Sequence, residues 1–462
     1  MSRLAWFTPL PPSTSGVARY SAELLPGLSG EHEIDVFVES APEIAEHPAG
    51  TRVFGAHDFV WKHDRQPYDL VVYQIGNASC HDYMWGYFPR HPGLAVLHDG
   101  QLHHARALSL RTQSRHDDYL EEFLYSHPVE PDIAELGIAG LLGPLLFLWP
   151  MRRVVLDTAK LVVVHNRWLA DRIREERPET PLSVVDMGVA ALDPGPGARE
   201  RVRARYGIPD DAIVFAALGA MTPEKRIPEA IGALAASLDT VPNARLMLVG
   251  QPVSHYDPRA DARAAGVEDK VSITGFVPHE KLAEHLAAAD VCLCLRWPTS
   301  RETSAAWLRC LSAGRATVVT DLAHMVDIPT LDPRTWTVIH GHRDIADGLE
   351  PPAPVDPVAV SVDVLDEEHS LMLAMRRLGN DHRLRRALGD RSRELWQARF
   401  RLEAMVETYR GAISAALSAP ARQPGADFPA HLLANGTAYA AKTLRKMGVA
   451  TGRIEHLWSN AG

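Results

Sequence analysis

Short apolar runs alternate with helix-spaced apolar positions twice along the chain. In the first half the runs are "RLAWFTP", "EIDVFVE", "DLVVYQI", "LAVLHD" and "KLVVVHN", with a last one near "LSVVDMG". In the second half they are "AIVFAALG", "ARLMLVG", "VSITGF", "DVCLCLR" and "ATVVTD". Each is short, apolar and bounded by polar or turn-forming residues, which predicts a buried strand. Between them, stretches such as residues 228–238 and 282–289 carry the period of an amphipathic helix. Strand and helix in alternation mark a parallel sheet covered on both faces, so each half is expected to bury its own doubly wound α/β sheet.

A chain of 462 residues is too long for one core. The boundary is expected near "RYGIPDDA", after the charged helix "ARERVRAR", giving a first domain at 1–205 and a second at 206–350. The segment 351–364, beginning "PPAPVDPVAV", reads as a proline-rich linker, and 365–462 as C-terminal helices. Two open sheets joined this way form a cleft. Ligands of such sheets bind at the carboxyl ends of the strands, so functional residues should sit just after the runs above.

Composition narrows the partners. Hydrophobic residues make up 46% and charged residues 23%, and the formal charge is −10, which argues against a nucleic-acid partner. The four cysteines form no C-x-x-C pair, and Cys292 and Cys294 read as small buried hydrophobes in "ADVCLCLRW". The opening "MSRLAWFTPLPP" is too short in apolar residues for a signal peptide, so a reducing cytoplasm is expected. The run "LGIAGLLGPLLFLWP", 136–150, falls short of the roughly 20 residues that span a bilayer. It reads either as a core helix or apolar flap, or, with "MRR" behind it, as peripheral contact of 136–153 with the inner membrane face.

Four strand ends carry candidate chemistry. In "PLPPSTSGVARYSAELL", Gly16 lets backbone approach a ligand at a helix N-terminus, although an ordinary turn would look the same. In "FAALGAMTPEKRIPEAI", Gly219 ends a strand and Lys225 and Arg226 enter a helix, where two cations suit a diphosphate better than bare solvent. In "RETSAAWLRCLSAGRATVVTD", Glu302, Thr303 and Ser304 are expected on the first helical turn, with Arg309 two turns on and facing the same way. A carboxylate there accepts from sugar hydroxyls, and Thr303 and Ser304 reach phosphate; simple capping is the alternative. In "YQIGNASCHDYMWGYFPRHPGLAVLHDG" five histidines lie between His81 and His104, but their spacing fits no metal set. His98-Asp99 is better read as a polar pair at the cleft, with His98 bonding a hydroxyl or phosphate.

In this order the motifs resemble the retaining glycosyltransferases of family 4, whose GT-B fold faces two Rossmann-like domains across a cleft. The likeness covers roughly residues 3–415 and is carried by "LGAMTPEKRIPEAIGAL", "ARLMLVG", "VSITGFVPHEKLAEHLAAADVCLCLRWPT", "ETSAAWLRCLSAGRATVVTD" and "FRLEAMVETYRGAI". The last of these looks like the family's closing helix, which crosses back to the first domain. The resemblance implies a nucleotide-diphosphate-sugar donor in the second domain and a sugar or lipid-linked acceptor in the first. It places Lys225 on the donor diphosphate with Arg226, Gly219 and Gly250 nearby. Glu302 falls on the sugar hydroxyls, Thr303 and Ser304 near phosphate, and Gly16 on the diphosphate side of the first domain. His98 is placed near the anomeric centre, and backbone at Phe276 and Val277 against the base.

Four positions depart from the family pattern. Arg309 stands where a second glutamate is usual, Arg301 where the nearest branch has glycine, Ala220 where an arginine follows the loop glycine, and Ala316 where a proline is usual. No acidic metal motif is present, so transfer without metal or other cofactor is expected. The rival expectations are a GT-B subunit that binds without turnover, and an epimerase or phosphorylase of the same fold.

Overall fold

The computed structural model describes residues 1–41, 47–128, 131–339, 356–434 and 437–449. Two parallel sheets organise it. The first runs β3-β2-β1-β4-β5-β6-β7, from β1 (Ser2–Phe7), β2 (His32–Val38), β3 (Thr51–Gly55), β4 (Leu70–Ile75), β5 (Leu94–Leu97), β6 (Leu161–Val164) and β7 (Leu182–Val184). The second contains β8 (Ile213–Leu218), β9 (Ala244–Val249), β10 (Val271–Ile273), β11 (Val291–Cys294), β12 (Ala316–Thr320), β13 (Thr330–Leu331), β14 (Val338–Ile339) and β15 (Ala359–Val362). Its order is β10-β9-β8-β11-β12-β15-β13-β14, with only the β13–β14 pair antiparallel. Every residue of β4, β5 and β6 is buried, as expected for strands covered by helices on both faces.

The strand order reverses beside β1 in the first sheet and beside β8 in the second. These are the two topological switch points, where the loops of an open sheet splay apart and leave room for a ligand. At β1 the turn is closed by Ser15, whose hydroxyl accepts from Val17 N at 3.2 Å and starts the helix Gly16–Leu28. That helix buries Ala18, Tyr20, Leu24, Leu25 and Leu28, spaced to put one apolar stripe on the sheet.

Two expectations are corrected, and one strand is added to the expected set. The segment taken as a linker contains β15, a buried strand between β12 and β13. "VAVSV" follows directly on the proline run, and burial of Val360 and Val362 at about 1.5–3 kcal/mol each favours the sheet. Residues 351–355 of that segment lie outside the described residues. The helix Ala198–Arg205, assigned to the first domain, packs with the second. Val202 joins the core around Val214 and Leu286, and buried Arg203 donates to Ala288 O and pairs with Asp290 at 2.8 Å. Finally, β3 went unread because its exposed and half-buried positions hide the apolar pattern.

The three longest C-terminal helices are Glu367–Asn380, His382–Arg399 and Leu402–Ser418. The last returns to the first domain, where Tyr409 Oη lies 2.5 Å from Tyr20 Oη and its ring packs near Trp6. The apolar run forms the end of the helix Pro131–Ala139 and a tight turn at Gly143–Leu148. Ile138, Leu146 and Trp149 cover Tyr119 and Phe123, while Leu141 and Leu148 stand 70% and 65% exposed. No helix among the described residues is long and apolar enough to cross a membrane. Residues 450–462 of the C-terminal segment lie outside the described residues.

Candidate functional site

One pocket lies at the switch point of the second sheet, beside β8 and β11. Its walls come from both domains: His165 and Asn166 after β6, Lys225 after β8, Arg296 and Glu302 to Ser304 after β11, and His324 after β12. Apolar residues, among them Leu218, Leu295, Trp307, Met325 and Phe400, form the remainder. A few polar groups converging in an apolar cleft are the usual make-up of a ligand site.

Lys225 reaches the pocket because the chain turns sharply after β8. Gly219 there has φ +100°, and Lys225 Nζ donates to Leu218 O at 3.1 Å. A side chain at Gly250 would meet Gly219 O at 2.0 Å, so this neighbouring glycine lets the loop lie flat on its neighbour. Burial, followed by the charge of Arg296, pulls the Lys225 ammonium down to about 8.

Glu302 is not helical, which corrects the expected first turn. Ser304 is the N-cap of the helix Ala305–Ser312, accepting from Trp307 N, and Glu302 and Thr303 precede it. The Glu302 carboxylate is held by Arg296 at 2.7 Å and by the Thr299 hydroxyl at 2.9 Å. Arg301 beside it has φ +63°, a left-handed conformation that a non-glycine side chain rarely adopts. Its guanidinium lies over the Trp168 ring of the first domain, 5.1 Å from the centroid.

The first domain closes on this loop. Gly100 N donates to Ser300 O at 2.6 Å, Asn77 Nδ2 to Ser300 Oγ at 3.2 Å, and Asn166 Nδ2 to Arg301 O at 3.0 Å. The Thr303 hydroxyl donates to His165 O at 3.2 Å. Asp99 sits half-buried behind these contacts and accepts from Asn77 N at 2.6 Å. Burial, then the charge of Glu302 across the gap, pushes its carboxyl well up.

The pocket also holds two histidines that strand-end reasoning passed over. His165 Nδ1 donates to Val185 O at 2.8 Å, and burial holds the ring neutral, its pKa down to about 4. That tautomer turns Nε2 into an acceptor, and Nε2 is buried with no hydrogen-bond partner. His324 is likewise buried and pulled down to about 4, with Nδ1 unpartnered. Arg296, His165 and His324 all follow expected strands, in "LCLRW", "VVVHN" and "VVTDLAH", so the signal was present in their position.

Of the residues singled out from sequence, Lys225, Glu302, Thr303 and Ser304 line the pocket, and Gly219 and Gly250 shape the turn behind them. The others are placed elsewhere. Arg226 is a correction: it pairs with Glu367 at 2.5 Å and Glu229 at 2.6 Å, fastening the helix Glu367–Asn380. Arg309 is a second correction, bound to Glu23 of the helix Gly16–Leu28 at 3.0 Å rather than facing the pocket with Glu302. His98 is buried outside the pocket lining, its Nε2 bonded to Gln74 Oε1 at 2.7 Å and its ring packed on Tyr20 and His165. Gly16 is exposed at its helix start, Phe276 is 65% exposed, and Val277 packs partly into the second domain's core; none of the three lines the pocket.

Metal-ligand geometry occurs elsewhere. Among the described residues Asp118, Glu121 and His431 bring ligand atoms within 4.8 Å of one another, outside the pocket lining. His431 there is already engaged by Glu121 at 2.7 Å and by Glu122 at 2.9 Å.

Residues 198–304 match the family described as "Glycosyl transferases group 1". A 2-deoxystreptamine glucosyltransferase from Streptomyces kanamyceticus is 28% identical over 163 residues, 31% of this chain and 42% of that protein. A GDP-mannose-dependent alpha-(1-6)-phosphatidylinositol monomannoside mannosyltransferase from Mycolicibacterium smegmatis is 36% identical over 144 residues, 30% of this chain and 37% of that protein. The chain thus spans about two fifths of the length of these curated relatives. Among solved structures, sucrose-phosphate synthase from Thermosynechococcus elongatus superimposes with a TM-score of 0.60 at 16% identity, covering 90% of this chain and 100% of that one. Anabaena HepE in complex with UDP-glucose gives 0.61 at 13% identity, covering 90% and 100%. These likenesses establish the fold: two Rossmann-like domains in the GT-B arrangement.

Proposed function

We propose that the protein is a retaining glycosyltransferase that moves a hexose from a UDP- or GDP-linked donor to a hydroxyl acceptor. The observation that carries this reading is that Lys225 and Glu302, on loops flanking the second switch point, line one pocket with Arg296 beside them. A departing diphosphate needs cations and oriented amides where its charge develops. Lys225, Arg296 and the N-terminus of the helix Ala305–Ser312 supply them. Glu302 is positioned to accept from sugar hydroxyls, and His165 Nε2 offers a second acceptor from the first domain. Contacts of Gly100, Asn77 and Asn166 with residues 300–301 close the cleft, which limits loss of the sugar to water.

The family match over residues 198–304 and the sugar-transferring relatives support the same reading. The acceptor is proposed to approach from the first domain, near Asp99 and Asn77. The leucines exposed at 136–148 suit a lipid-linked acceptor or peripheral membrane contact. The reading is tested by incubating the purified chain with UDP- and GDP-hexoses and following nucleotide release and the product's anomeric signal by NMR. Release without Lys225, or an inverted product, contradicts it.

A second reading is a nucleotide-binding subunit without turnover. It draws on Arg309, which occupies the place of the usual second glutamate and is tied to Glu23. Saturable nucleotide binding with no hexose release on any acceptor would favour it.

A further inference from the structure

We propose that Cys294 and Cys310 form a reversible disulfide that switches the pocket off under oxidation. Only the consequence rests on reading the pocket as a nucleotide site; the bond rests on the placement of the thiols. Cys294 ends β11, and Cys310 lies on the helix Ala305–Ser312 packed against that strand, with the two sulfurs 3.8 Å apart. Cys292, two residues back and therefore on the same face of β11, flanks Cys310 as well. Cys292 and Cys310 are buried, whereas Cys294 is half-buried and lines the pocket. One thiol is thus reachable from the cleft, with a second in contact behind it.

The roles follow from the surroundings. Lys225 lies close enough to Cys294 and Cys310 to interact with both through charge, and Cys294 is the one of the three clustered thiols that lines the pocket, which makes its sulfur the one an oxidant meets first. Cys310 is flanked by two thiols and buried, which holds its own proton on and suits it to resolve rather than attack. With hydrogen peroxide as oxidant, the Cys294 thiolate attacks one peroxide oxygen and the O–O bond breaks. This leaves a sulfenic acid and a hydroxide that takes a proton to become water. The Cys310 sulfur then displaces the sulfenic oxygen, which leaves as a second water with the Cys310 proton. Two thiols have lost two protons and two electrons, and one peroxide has become two waters.

Closing the pair from 3.8 Å to about 2.05 Å draws the helix Ala305–Ser312 toward β11. Glu302, Thr303 and the cap Ser304 lead into that helix, and Arg296 lies two residues past the strand. The bond therefore displaces the anion grip from both sides.

The test treats the reduced full chain with equimolar hydrogen peroxide, alkylates it, digests it without reductant and maps peptides by mass spectrometry. UDP and GDP binding is followed by calorimetry before oxidation, after it, and after dithiothreitol. The expected result is a Cys294–Cys310 peptide lighter by two hydrogens, with Cys80 and Cys292 alkylated. Affinity should fall by at least about tenfold and return on reduction. Cys310→Ser is expected to give no bridge and a peroxide-insensitive affinity; if that variant does not fold, the wild-type peptide map decides alone. A bridge through Cys80 or Cys292, sulfinic acid at Cys294 without a bridge, or a bridge that leaves affinity unchanged overturns the proposal. A bridge in a protein that binds neither nucleotide in either state overturns the switch together with the donor reading, but leaves the bond itself in place.

Discussion

The Arg296 guanidinium lies 2.7 Å from a carboxylate oxygen of Glu302, so the acid assigned to the donor sugar already carries a counter-charge. Substituting either partner exposes the other's charge in a largely buried place. Arg296→Ala is expected to cost about 1–3 kcal/mol of unfolding free energy and to weaken UDP or GDP binding about tenfold or more. Urea unfolding and calorimetry on one preparation read both effects. Loss of stability with unchanged nucleotide affinity would make Arg296 a purely structural partner of Glu302.

Lys225 gives the site a pH signature. Burial and then Arg296 hold its pKa near 8, so the free protein loses this positive charge as the pH rises through that value. A bound diphosphate favours the ammonium and raises the pKa again, so binding takes up a proton on the alkaline side. Nucleotide affinity is therefore expected to be flat at pH 7 and to fall above pH 8 by up to tenfold per unit. Calorimetry in buffers of different ionisation enthalpy should show the uptake. Lys225→Arg should remove the inflection, because arginine stays charged throughout.

Glu23, on the helix Gly16–Leu28, ties the two domains together through Arg309 and His279. Burial alone would raise its carboxyl, but the hydrogen bond from His279 and the charge of Arg309 outweigh it and hold the pKa at about 2. A carboxyl depressed from 4.5 stabilises the fold above that pH and loses the effect as pH falls toward 2, a contribution of about 3 kcal/mol. Glu23→Gln is expected to lower stability by that order at pH 7 and to flatten the acid limb of a stability–pH curve. An unchanged acid limb would place the titration elsewhere.

Gly250→Ala tests how the Lys225 loop is built. The added Cβ would meet Gly219 O at 2.0 Å, closer than any side chain tolerates, so the loop after β8 must move. The expected outcome is weaker nucleotide binding at modest cost to stability, whereas Gly207→Ala, with open space around it but also a positive φ, should affect stability alone. Equal affinities in the two variants would detach Gly250 from the site.

Much of this was legible along the chain. The central strands of both sheets followed from the apolar runs because strands covered on both faces are mostly apolar, and part of the pocket followed from its place after those strands. Position carried Lys225 and Glu302, and it would have carried His165, Arg296 and His324 had each strand end been weighed alike. Partners were not legible. Arg226 and Arg309 look like ligand-binding cations in sequence, but Glu367 lies 141 residues from the first and Glu23 286 from the second, a pairing only the folded chain creates. The strand β15 was masked by the prolines before it. The helix at Ala305 begins later than periodicity suggests because Ser304 is free to cap, with Arg301 turning the chain through a positive φ just before it.

The central claim is that Lys225 grips a donor pyrophosphate in a pocket shared by the two domains, and calorimetric titration with UDP- and GDP-hexoses tests it most directly. The account predicts saturable binding of at least one donor by the wild type, and a loss of about tenfold to a hundredfold in Lys225→Ala for both the donor and its free nucleotide. No binding of either donor, or a Lys225→Ala variant that binds as the wild type does, would contradict it.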